Sequence, residues 1–66
     1  MNRIVALFKS LRARWIPDAE VRAEAWALGG RHHGEVVQGA QLELKVPHIG
    51  LRRAVLLRAV IAGQTR

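Results

Sequence analysis

Sixty-six residues, half of them hydrophobic and none of them cysteine, allow one domain and exclude a disulfide framework and a thiolate zinc site. A formal net charge of +6, eleven Lys and Arg against five Asp and Glu, makes an anionic surface the natural partner chemistry. A chain this short buries only about 60% of its unfolded surface, so it needs dense helix packing or association to be stable.

Residues 2–15 are predicted to form a helix. Ile4, Leu7, Phe8, Leu11 and Trp15 recur at helical spacing and fall within an arc of roughly 100°. Arg3, Lys9, Ser10 and Arg14 lie on the other side, and Arg12 flanks the stripe. The apolar stretch Ile4–Phe8 is shorter than the core of a signal peptide, and no run reaches the ~18–20 residues of a membrane span. Residues 1–17 hold no acid, a pattern shared with transit peptides. The equally basic far end of the chain favours basic character in the mature protein. Pro17 ends the segment, because the residue before a proline avoids the α region.

A second helix is expected over 18–28, with Asp18 as N-cap and early acids matching the positive end of the dipole. Val21, Ala25 and Leu28 make its core side, and Glu20 and Glu24 share an exposed flank. Gly29-Gly30 is read as the stop. The run Arg31-His32-His33-Gly34-Glu35 invites a metal-site reading with His48 as a further ligand. Its spacing matches no established ligand pattern, and a polar inter-helix loop is the simpler reading.

Residues 34–46 carry two signals. Val36, Val37, Ala40 and Leu44 fit a helical face, whereas 41–46 alternates as a strand does. Helix is preferred because an isolated hairpin is marginal in water. Residues 47–50 are a turn. The last helix, 51–62, is apolar nearly all round: Leu51, Val55, Leu56, Leu57, Val60 and Ile61 point in many directions, and Arg52, Arg53 and Arg58 share no face. So short a chain is not expected to cover such a helix, and these six are the predicted interface.

No chemistry-bearing set stands out. Ser10 and Thr65 are the only hydroxyl side chains, with no base and orienting group suggested beside them. No Gly-rich phosphate loop occurs. No catalytic residue, cofactor or small-molecule substrate is therefore expected. The chain reads as an all-α protein, a small bundle of three or four short helices that self-associates. Its predicted core is Ile4, Leu7, Phe8, Leu11, Val21, Ala25, Leu28, Val36, Ala40, Leu44, Val55, Leu56, Val60 and Ile61, edged by Trp15 and Trp26.

The leading functional reading is a non-enzymatic cytoplasmic interaction protein that binds a protein partner or a second copy of itself. A nucleic-acid-binding protein is the alternative, with Arg3, Lys9, Arg12, Arg14, Arg52, Arg53 and Arg58 as its phosphate contacts. That alternative requires these seven to converge, and no recognisable nucleic-acid motif accompanies them. A GC-rich genome also favours arginine over lysine through codon usage, so the arginine count by itself does not argue for phosphate binding. A third reading places the amphipathic first helix on an anionic membrane surface.

Overall fold

Proline 17 sets the first corner. Its φ of −66° and ψ of 153° are extended, so the chain leaves one helix and starts the next without a continuous bend. The computed structural model describes residues 3–65, with side chains from residue 6 onward except Phe8. These form α1 (Arg3–Trp15), α2 (Asp18–Arg31), α3 (Val36–Leu44) and α4 (Leu51–Gln64), with no strand among the described residues. The all-α class and the small bundle follow the sequence reading. The alternating stretch 41–46 is not a strand. Val36, Ala40 and Leu44, spaced by four, all reach the core, and burial of that helical face outweighs the alternation. The helix ends at Leu44, and Lys45 and Val46 enter the following turn.

The central element is α4, which packs against α1, α2 and α3 alike. That is why its apolar girth is tolerated. Leu57 is fully buried with Leu28, Ala40 and Val60 in the larger core cluster, and Val55 and Leu56 join Ile16 in a second one. Val21 touches both clusters and links them. Full burial of side chains of this size is worth roughly 1.5–3 kcal/mol each. The sequence reading expected Val55, Leu56, Leu57 and Val60 to meet a partner. They are instead covered by the chain's own helices, while Leu51 remains 56% exposed.

Other expectations need correction. Leu7 is 55% exposed rather than in the core; among the described residues α1 packs against α4. Trp26 is 86% exposed and stands clear of the core edge. Ile16 and Leu57, absent from the predicted core, are buried in it. Ile4 and Phe8 lie outside the described side chains.

The helix caps differ too. Pro17, not Asp18, is the N-cap of α2, its carbonyl accepting from the Glu20 and Val21 amides. Gly29-Gly30 does not stop α2, which continues to Arg31. The actual stop uses His33 and Gly34, with φ of 54° and 87°, and the Gly34 amide donates back to the Gly29 carbonyl at 2.8 Å. This is the six-to-one bond of a Schellman ending, with histidine in the left-handed position that glycine usually takes. α4 likewise runs past Ala62, through Gly63 to Gln64.

Candidate functional site

Three elements meet through a closed ring of charges. Arg31, at the end of α2, donates from Nη2 to Glu24 Oε2 at 2.8 Å and from Nε to Glu43 Oε2 at 3.0 Å. Arg53, on α4, donates from Nη2 to Glu24 Oε2 at 2.8 Å and to Glu43 Oε1 at 2.9 Å. Two guanidinium groups and two carboxylates thus alternate around the ring and cancel in charge. His32 adds a fifth member: its Nε2–H donates to Glu43 Oε2 at 2.8 Å, the tautomer an ionised acceptor requires. Hydrogen bonds from Arg31, then His32 and Arg53, hold the Glu43 carboxyl down at about 2, against the opposing pull of burial. Glu24 is lowered as well, chiefly by Arg53 and then by Arg31.

A second clamp joins the start of α4 to α2 and to the end of α1. Arg52 grips Glu20 with both terminal nitrogens, at 2.7 and 2.8 Å, and Nη2 also donates to the Trp15 carbonyl at 2.9 Å. The cation therefore sits at the negative end of the α1 dipole. The flank of Glu20 and Glu24, read from sequence as a solvated face, is turned toward α4. Both ion-pair systems are stabilising interactions within the fold, and no group of three or more metal-ligating side chains gathers among the described residues.

A solvent-open groove lies elsewhere. Among the described residues α1 packs along α4 and touches α2 at its start, where Arg12 meets Asp18, and a groove of about 850 Å³ remains between α1 and α2. Ala59, Val60 and Gly63 of α4 line it, and Val21 and Ala25 of α2 form a wall. Lys9 from α1 and Arg22 from α2 supply cationic lining residues; both are exposed, and neither belongs to the ion pairs above. Arg12 also lines the groove but is held by Asp18 at 2.6 Å.

The seven predicted cationic binding residues are not gathered in one place. Lys9 and Arg12 reach the groove, whereas Arg52 and Arg53 are committed to the carboxylates of α2 and α3. Arg14 and Arg58 are exposed on their helices, and the Arg3 side chain lies outside the described set. Of the predicted interface, Val60 contributes to the groove. Arg22 was missed because it falls in the acidic middle of the sequence. The available signal was its spacing: four residues from both Asp18 and Trp26, on one side of α2.

Among the described residues no helix is long and apolar enough to cross a membrane. The chain matches no family model, and no curated protein or solved structure is significantly similar to it.

Proposed function

We propose that this chain is a small non-enzymatic interaction protein, a regulator or accessory subunit, that binds a protein partner through the groove between α1 and α2. The observation that carries this reading is an apolar lining left open beside two exposed cations, Lys9 and Arg22. A mixed apolar and cationic surface of this kind is what a protein partner uses.

The nucleic-acid alternative is less well supported. Arg12, Arg52 and Arg53, three of the seven residues it relies on, already hold carboxylates at 2.6–2.9 Å. Exchanging such a pair for a phosphate contact returns little net free energy. The membrane reading keeps one observation of its own, the exposure of Leu7 and Trp15 on the same helix as Lys9 and Arg14.

A photo-crosslinking residue placed at position 22, with position 38 on α3 as control, tests the reading in cells. A discrete nuclease-resistant protein adduct at 22 and not at 38 is expected. A salt series with a labelled DNA duplex and co-sedimentation with anionic vesicles run beside it. Sub-micromolar duplex binding that weakens linearly in log–log form, or tight vesicle binding, would overturn the proposal.

A further inference from the structure

We infer that the groove receives an acidic amphipathic helix from a different protein; this rests on the interaction reading above. The helix would lay its apolar side on Val21, Ala25 and Ala59 and set carboxylates against Lys9 and Arg22.

The charge of the occupant follows from which groups are already satisfied. Arg12 is answered by Asp18, but Lys9 and Arg22 stand exposed in the same groove outside every ion pair described above. Cations beside an apolar lining select a ligand with carboxylates along the border of an apolar face. A duplex could meet the cations but has no apolar side for Val21 and Ala25.

A second copy of this chain is a poor source of that acid. Asp18, Glu20, Glu24 and Glu43 are all held by arginines of their own chain, which leaves Glu35 alone outside these pairs. Two copies, each at +6, would also repel one another. The occupant is therefore foreign.

Its shape follows from the walls. A groove between two helices and roofing a third is the setting in which an amphipathic helix docks through i, i+3, i+4 and i+7 anchors. Trp26 stands one turn beyond Arg22 on the same side of α2 and is 86% exposed. A tryptophan displayed in this way is the side-chain type most enriched among binding hot spots. It gives the helix a second apolar contact past the groove.

The test uses the full chain, ¹⁵N-labelled, and a fluorescein-tagged synthetic peptide of about 14 residues, four helical turns. The peptide carries Leu at the anchor positions and Glu elsewhere. Its controls are a scrambled order of the same residues, a version with Lys in place of Glu, and polyglutamate. The amphipathic acidic peptide is expected to bind about tenfold or more tighter than each control. Amide shifts should cluster at Lys9, Arg22, Ala59 and Gly63. The double variant Lys9→Glu/Arg22→Glu should weaken binding about tenfold.

Gly63→Leu should do the same by filling the groove. A Cβ at 63 meets nothing within 4 Å, so the substitution enters open space at its base, and an unchanged melting temperature is the control that the fold is retained. No peptide binding, equal binding of polyglutamate or the scrambled peptide, or shifts confined to the surface around Leu42 and Leu51 would each overturn the groove proposal. In the last case the interaction reading survives. A dimer whose contact covers Lys9 and Arg22 would put a second copy in the groove and overturn the foreign-helix assignment. Tight duplex binding would remove the underlying interaction reading itself.

Discussion

The imidazole of His32 occupies the space where a side chain at position 39 would begin. A Cβ built on Gly39 lies 2.6 Å from His32 Cγ and closer still to Cδ2. Glycine on α3 thus lets the end of α2 come close enough for His32 to reach Glu43. From sequence, Gly39 only weakened both helix and strand. In the fold it is a packing requirement.

Gly39→Ala therefore tests a steric relationship. Alanine raises helix propensity by about 1 kcal/mol, yet the methyl must displace His32, and overpacking of this kind costs typically 1–3 kcal/mol. A net loss of stability of about 1 kcal/mol is expected in denaturant unfolding, and the double variant Gly39→Ala/His32→Ala should recover it. Stabilisation by the single variant would contradict the close approach.

The charge ring sets an acid limit. The Glu43 carboxyl is lowered from 4.5 to about 2, and Glu24 is lowered too. A carboxyl depressed on folding stabilises the native state fully above its unfolded value and loses that contribution as the pH falls toward its folded value. The carboxylate contribution should hold above about pH 4.5 and disappear progressively between 4.5 and about 2. Thermal melts across that window check it. Glu43→Gln should lower the melting temperature at neutral pH and flatten the acid dependence; an unchanged acid profile would show that the ring is not formed in solution.

Arg52 fastens α1. It bridges Glu20 of α2 and the Trp15 carbonyl, and the helix packing of α1 among the described residues is against α4. Arg52→Ala should speed amide exchange in residues 11–15 more than in α3, by opening α1 locally. Uniform acceleration across all helices would count against this local role.

Leu57 distinguishes an internal α4 from an interfacial one. It is 0% exposed between α4 and the cluster of Leu28 and Ala40. Leu57→Ala should cost about 2–5 kcal/mol, enough to unfold a domain of this size at room temperature. Leu51→Ala, at a 56% exposed site, should stay within about 0.5 kcal/mol. Circular dichroism with urea titration separates the two.

His33 holds a φ of 54° at the end of α2. Glycine adopts that conformation without a Cβ clash, so His33→Gly should stabilise the chain by about 0.5–1 kcal/mol. Destabilisation on urea titration would mean that the imidazole makes a compensating contact.

Much of the fold was readable along the chain because its signals are local. Apolar spacing marks α1, a continuous apolar run marks α4, and Pro17 marks the corner between α1 and α2. Leu28 and Ala40 are placed in the core by periodicity and are buried, whereas Val55, Leu56 and Val60, read both as core and as interface, are buried within the fold. The end of α2 was less readable. Gly29-Gly30 is permissive of a stop without enforcing one, and Arg31 extends the helix because Glu24 and Glu43 hold its side chain.

The sequence by itself determined an all-α bundle of three or four short helices, a net charge of +6 and the absence of any cysteine chemistry, since periodicity, proline and composition act within a few residues. The tertiary structure decided which faces meet. The apolar girth of α4 reads as an unfilled interface until three other helices are placed around it. Glu20 and Arg52 are 32 residues apart, and Glu24 and Arg53 are 29 apart, so no local pattern could show that these charges cancel. The same geometry leaves α1 and α2 apart and Lys9 and Arg22 lining a common groove. Such an arrangement depends on how far two helices stand from each other, which the order of residues within each helix does not encode.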